Sequence, residues 1–293
     1  MKRKITGKYN NLRYIAVSEC RYNFFMPYVK IPKRILGGKI INNIKVAGKE
    51  FRLIIKDCKI SQMHKDILNA IILNSSQVGM GKYGNIAVLF SQRQVLKTLG
   101  HKNLFNHAWL QKKFDEMQSS LFAISDKDDN CGITFSILLA SGYSKEPIKE
   151  VDGGFGEKSY YYFIEFNPYY LKFADIDVAL FLKNKEILRK IIRIKSGLIK
   201  ALVWYCLSQN RLNKDLIEIL SELNILNNDI TRREKNIIIR QIKDNKEYLE
   251  KEFGIEIKKM RNERYGVFYH KLKEVRFEKS ITDMPKLIEK EII

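Results

Sequence analysis

Residue pairs that hold metals are missing from this sequence. Its four histidines, His64, His101, His107 and His270, form no His-x-His or His-x-x-x-His pair, which removes the usual ligand spacings of zinc-dependent hydrolases and relaxases. Cys20, Cys58, Cys131 and Cys206 are scattered with no Cys-x-x-Cys, so neither a zinc knuckle nor, in a cytosolic setting, a disulfide framework is expected; buried, reduced thiols are. Gly153–Ser159 lacks the contiguous Gly-Lys-Ser/Thr of a phosphate-binding loop and reads as a hairpin loop. No His-x-x-Arg is followed by a nucleophilic tyrosine, and Tyr160–Tyr162 and Tyr169-Tyr170 read as strand and core residues. The acids form no cluster of the kind that binds a divalent ion for strand cleavage. The expectation is a protein without catalytic residues, metal or cofactor.

Long apolar runs are missing too. Ser196–Leu207 is interrupted by Lys200, short of the roughly 18 uncharged residues of a membrane span, and Met1-Lys2-Arg3-Lys4-Ile5-Thr6-Gly7 leads into no apolar signal core. A soluble, cytoplasmic protein is expected, with no membrane partner.

Positive charge is abundant. Net +20 over 293 residues favours a polyanionic partner. The excess sits at the two ends: about +12 in residues 1–60, about zero in 61–175 and about +8 in 176–293. With 45% hydrophobic and 11% aromatic residues the chain has enough apolar surface for one or two ordinary cores.

The patterning predicts an α+β fold, two winged-helix domains in tandem with a β-rich N-terminal arm. The arm covers residues 1–49, with β-leaning Tyr22–Tyr28 and, just beyond it, Phe51–Ile55, around a loop at Ile31–Gly38. The first winged helix covers 50–175. Met63, Ile67, Leu68, Ile71 and Ile72 repeat at helical spacing, a turn follows at Gly79–Gly84, and Ile86–Phe90 reads as a strand. Ser91-Gln92-Arg93-Gln94 has the form of a capping box opening a short helix that closes at Gly100, and a helix over 103–120 comes next. Leu121–Ser125 and Gly132–Ala140 alternate across an acidic turn, Asp126–Asn130, and read as this unit's wing. After a strand at Tyr160–Phe166 and a linker near Ala174-Asp175, the second winged helix covers 176–280, opening with a helix over 185–209; a tail, 281–293, closes the chain.

Residues 213–271 carry the candidate site. Thr231-Arg232-Arg233-Glu234 is a capping box, so a helix starts at Thr231. At about 100° per residue Ile238, Ile239, Ile242, Leu249 and Phe253 gather on one side, while Arg233 and Arg240 project opposite with Asn236 and Lys243 alongside. Gly254 suits the residue past the helix end, and Ile255–Met260 pairs through Arg261–Arg264 with Tyr265–Leu272 as a wing. Arginine reads guanine and asparagine reads adenine in the major groove, so Asn236 and Arg240, one turn apart, are the predicted base readers. Arg232, Arg233, Lys235 and Lys243 would position the helix on phosphates, and Lys258, Lys259, Arg261 and Arg264 would extend that contact along the wing. The bland alternative is a solvated charged face.

The first unit differs. Its helix over 103–120 buries Leu110, Phe114, Met117 and Leu121 and turns Phe105, Ala108, Trp109 and Lys112 outward beside Asp115 and Glu116. An apolar, mixed-charge face under an acidic wing predicts a protein interface through Phe105, Trp109 and Lys112; packing of the two aromatics under the N-terminal arm is the alternative.

Several segments carry a resemblance: His64-Lys65-Asp66-Ile67-Leu68-Asn69-Ala70, then Phe90–Gly100 followed by Trp109-Leu110, and Lys200-Ala201-Leu202-Val203-Trp204-Tyr205. Through them residues 50–275 resemble the initiator proteins of theta-replicating plasmids, the Rep and TrfA-like group of tandem winged-helix proteins. The resemblance implies that the second winged helix binds direct repeats of double-stranded DNA at an origin. It implies a first unit used for dimerisation, with Phe105 and Trp109 on the dimer surface, or for a second DNA contact, together with a monomer–dimer equilibrium, an association with nucleoid or plasmid, and origin opening with the host initiator and replicative helicase. The neutral first unit departs from a second DNA contact. A winged-helix transcriptional regulator without replication activity is the alternative.

Overall fold

A computed structural model describes residues 14–16, 20–21, 24–28, 40–46, 49–56, 59–80, 85–126, 132–144, 161–171, 179–182, 185–226, 230–261 and 263–278. The expectations placed on Lys2, Arg3 and Lys4, Ile31–Gly38, Gly153–Ser159, Cys58, Cys131 and the tail lie outside them.

Two helical units follow one another, each with a helix, a strand running directly into a second helix, a third helix and a closing hairpin. In the first, α1 (Gln62–Asn74) is followed by β4 (Ser75–Met80), β5 (Ile86–Ser91), α2 (Gln92–Thr98) and α3 (His107–Ser119). The unit closes with β8 (Leu138–Ser144) and β9 (Tyr161–Phe166), and the sheet order is β4-β5-β9-β8. In the second, α4 (Lys185–Arg193) and α5 (Gly197–Leu207) precede β11 (Arg211–Asp215) and α6 (Leu216–Glu222). There follow α7 (Arg232–Asp244), α8 (Lys246–Phe253), β12 (Ile255–Lys259) and β13 (Tyr265–His270), with sheet order β11-β13-β12. In both units the strand that leads into the second helix, β5 in the first and β11 in the second, pairs with the last strand, which is the strand arrangement of a winged helix.

The first wing is not where alternation placed it. β6 (Leu121–Asp126) and β7 (Gly132–Phe135) do form a hairpin, but β6 pairs with β3 (Lys49–Lys56), which pairs with β2 (Ile40–Val46), giving a separate sheet β2-β3-β6-β7. The true wing is β8 and β9, paired from Leu138↔Phe166 to Ser144↔Tyr161. Alternation reveals that a hairpin exists; it carries no information about the distant strand that claims its edge.

Local signals had mixed success in setting element ends. Thr231 forms the expected capping box: its hydroxyl accepts from Glu234 N at 3.2 Å while its own N–H donates to Glu234 Oε2 at 3.0 Å. Ser91 caps α2 by backbone position with no side-chain hydrogen bond, so that box does not form. The helix expected from residue 103 starts at His107, where Asn106 accepts from Trp109 N at 3.3 Å. The helix expected over 185–209 breaks after Arg193 because Ser196 caps a new one, accepting from Ile199 N. Gly100 and Gly254, at φ +77° and +64°, end their helices in the left-handed region as expected.

The N-terminal region read as an arm is built into the body wherever it is described. Phe24, Phe25 and Met26 are buried, Phe24 stacks on Phe122 at 5.2 Å, and Met26 O accepts from Gln62 N at the start of α1. A third sheet joins distant parts of the chain: β1 (Tyr14–Ala16) and β14 (Val275–Glu278) flank β10 (Ala179–Leu182), which lies between the two units in sequence. Arg21 adds a tie to the second unit, its guanidinium donating to Ser208 O at 2.7 Å just past α5.

The units meet through α1 packed on α4 and α5. All of α5 is buried, Lys200 included. Lys200 pairs there with Asp66 of α1 and donates to Ile192 O at 3.0 Å, and the neighbouring Lys65 sits over the Trp204 ring at 4.5 Å. Burial pushes the Asp66 carboxyl up to about 7 despite the Lys200 ammonium beside it. Cys20 and Cys206 are buried thiols outside any disulfide among the described residues, and burial raises Cys206 far out of the reactive range.

Candidate nucleic-acid interface

α7 is an unusual helix for a folded domain, because Ile242 alone of its residues is buried. Ile238 packs against the edge of the core. Three contacts fix how the helix is turned. Ile242 points inward; Gln241 donates to Ser196 Oγ, the cap of α5, at 2.8 Å; and Lys243 on the other flank lies over the Tyr265 ring at 4.7 Å, at the base of the wing. At 100° per residue the side opposite Ile242 then belongs to Arg233, Asn236, Ile237, Arg240 and Asp244, all exposed. The helix presents them with its flanks tied to α5 on one side and the wing on the other.

The helix ends at Asp244 and α8 begins at Lys246, where a single continuous helix to Phe253 was expected. α8 is the better anchored of the two: Leu249 and Phe253 are fully buried against β12. The apolar stripe read across 238–253 thus serves two helices. Its second half holds the frame, and its first half supplies one anchor for a projecting segment.

Each predicted DNA contact has a definite place. Arg232, Arg233 and Lys235 lie in the first turns of α7 and carry no ion pair among the described residues. Arg240 is 84% exposed and faces Asp244 at 3.8 Å, a loose pairing in water. On the wing, Lys258 pairs with Glu256, which raises the lysine's pKa, and Lys259 reaches Glu263 at 3.4 Å. Arg264 lies 3.7 Å from Asp215, the cap of α6, and Arg261 stands exposed at the hairpin tip. The Lys243 ammonium holds the Tyr265 phenol below its usual range. The structure gathers these ten residues along one helix and the adjoining hairpin.

Sequence reasoning missed three features of this surface. Arg193 and Lys195 are exposed beside Ser196 and so extend the basic strip past Gln241; the break between α4 and α5 that puts them there had no strong local signal. Ile237 stands outward among the arginines, 56% exposed; a helical wheel centred on Ile242 would have shown it. The wing's own acids, Glu256 and Glu263, moderate its charge.

The predicted dimer residues of the first unit are less alike than expected. Phe105 is 53% exposed and Lys112 is exposed, but Trp109 is half buried, tilted against His101 with ring centroids 4.4 Å apart and packed on the core edge. Two turns further along the same side of α3, Glu116 accepts from Lys113 at 2.6 Å and meets His64 Nε2 at 2.8 Å. Burial alone would raise the Glu116 carboxyl; these two partners bring it down to about 2. Burial holds His64 below its usual value.

No group of three metal-ligating side chains comes together among the described residues, and no described helix is long and apolar enough to cross a membrane.

Comparisons with known proteins find no matching family model and no matching curated protein. Among solved structures the chain is similar to domains 2 and 3 of RctB, with 14% sequence identity and a TM-score of 0.55 over 88% of this chain and 100% of that one. A second structure of RctB domains 2–3 aligns with 13% identity and a TM-score of 0.47 over 82% of this chain and 94% of that one. At such identity the likeness is one of fold: a mixed α/β chain with two winged-helix units in tandem.

Proposed function

We propose that this chain is a DNA-binding replication initiator, which reads direct repeats at a plasmid origin through α7 and grips flanking phosphate with the β12–β13 wing. The observation that carries the reading is the orientation of α7. Arg233, Asn236 and Arg240 share the solvent side, opposite the helix's one buried residue, with a basic hairpin tied to its flank. The fold shared with RctB, a replication initiator, supports the same reading. Arg240 and Asn236 read bases; Arg232, Arg233, Lys235, Lys243, Lys258, Lys259, Arg261 and Arg264 hold phosphate. The first unit, near neutral by sequence, makes the contacts between copies or with host initiator and helicase, with Phe105 and Lys112 the exposed candidates and Trp109 beside them. The protein works by binding and has no catalytic step of its own.

The test is a titration of the full chain against DNA carrying direct repeats from beside its own gene and against scrambled DNA at fixed salt. Repeat-specific binding that falls roughly tenfold in Arg240→Ala, in line with the loss of one bidentate base contact, supports the reading. Equal weak binding to both DNAs overturns it. Specific binding that leaves the repeats closed, by chemical probing of unpaired thymines with host initiator present, turns the assignment to a transcriptional regulator.

A further inference from the structure

We propose that Ile237 reads the methyl group of a thymine in the major groove, making it the apolar element of the recognition surface. This rests on the DNA-binding reading and adds to it a chemical specification of the site.

A large β-branched side chain that is 56% exposed, on a helix whose neighbouring side chains are charged, contributes little to folding. Ile242 anchors the helix and Ile238 packs on the core edge; Ile237 does neither. It lies one turn after Arg233 and one turn before Arg240, so along the helix axis it falls between the two arginines, on the flank of the presented face nearer Gln241. Scattered surface isoleucines are common and need no explanation, but this one stands between two arginines along a face where every other side chain is a hydrogen-bonding group.

The chemistry of base edges assigns the matching ligand. Arginine and asparagine pair with the acceptors and donors of guanine and adenine, and the C5-methyl of thymine is the one apolar feature displayed in the major groove. Hydrocarbon reads hydrocarbon there, and the water released from both surfaces provides the gain. Arg233 and Arg240 are seven residues apart, about 10 Å along the helix at 1.5 Å per residue, which spans roughly three base-pair steps. The thymine therefore falls between the base pairs that the two arginines meet. A second copy of the chain is disfavoured as the occupant, because Arg233 and Arg240 would face their own counterparts.

The experiment begins with selection of bound sequences from a random duplex library by the full chain. Each thymine of the selected site is then replaced singly by uracil, which keeps every hydrogen-bonding group and removes only the methyl. We expect one thymine, lying between guanines of either strand, at which uracil weakens binding about fourfold, the worth of one buried methyl group. Ile237→Ala should bind the thymine and uracil forms of that site equally while its circular dichroism matches the parent. The inference is overturned if the parent binds every single-uracil site as tightly as the thymine site, or if Ile237→Ala still discriminates as the parent does; specific binding itself would then stand. A library that enriches no sequence removes the DNA-reading function, and this inference with it.

Discussion

Asp244 is an anion on the face proposed to meet DNA. It lies 3.8 Å from Arg240 on the outward side of α7, and an exposed pair of this length contributes little to folding. On the proposed reading its effect is instead on DNA, where it would repel phosphate and hold back the arginine proposed to read a base. Asp244→Asn should bind DNA roughly threefold more tightly at low ionic strength, with the advantage shrinking as added salt screens it. Titrations at two salt concentrations check this, and an unchanged affinity at low salt would move Asp244 off the contact surface. At the other end of the helix, Thr231 satisfies the first turn alone, since no residue before Ile242 is buried. Thr231→Ala removes about 1 kcal/mol of capping. That loss should appear as faster amide exchange in residues 233–236 with little change in the global melting temperature, because those turns open without disturbing the core.

Among the elements, α8 and its junction with β12 hold the reading helix to its frame. Gly254 turns the chain there at φ +64°, and a Cβ at that position would meet only Leu272 at an ordinary 3.5 Å. Gly254→Ala should therefore cost about 1–2 kcal/mol from backbone strain alone, read as a lowered midpoint in denaturant at unchanged slope. This junction was legible in the sequence because a glycine after a helical stripe and before an alternating run is a strictly local signal. So were the cap at Thr231, the pairing of β12 with β13 and the outward set of Arg233, Asn236 and Arg240. The first wing was not. Leu121–Asp126 alternates as well as any strand of the molecule, but its partner is Phe51–Lys56, some seventy residues earlier. The break at Asn245 was also hidden, since the stripe from Ile238 to Phe253 reads the same whether one helix or two carry it.

For the molecule as a whole, the central fact is the contact between α1 and α5, where Asp66 and Lys200 pair out of water. Two of the segments that carry the initiator resemblance, residues 64–70 and 200–205, face each other across it. Lys200 had signified only an interruption in an apolar run; no local pattern could supply a partner 134 residues away. Removing one member of a buried pair strands the other, so Lys200→Met should cost about 3–5 kcal/mol at pH 8, and combining it with Asp66→Asn should recover part of the loss. Because burial raises Asp66 from 3.8 to about 7, the folded state favours its neutral form. The stability it contributes is present below about pH 4 and is lost as the pH rises through 7, a trend that Asp66→Asn should abolish. The Asp66–Lys200 coupling measured by the double-mutant cycle should be smaller at pH 5 than at pH 8, and equal values would place the carboxyl's titration elsewhere.

The same contact bears on modularity. A chain that looks like two interchangeable winged cassettes is in fact indivisible at this point, since excising the second half would leave an ammonium and the rest of α5 without the cover α1 provides. Grafting that half onto a different first unit would succeed only where the new scaffold brings a carboxylate to meet Lys200. On the proposed DNA-binding reading, the repertoire of DNA sequences available to such a protein would therefore be widened by changing the outward face of α7 rather than by trading whole domains.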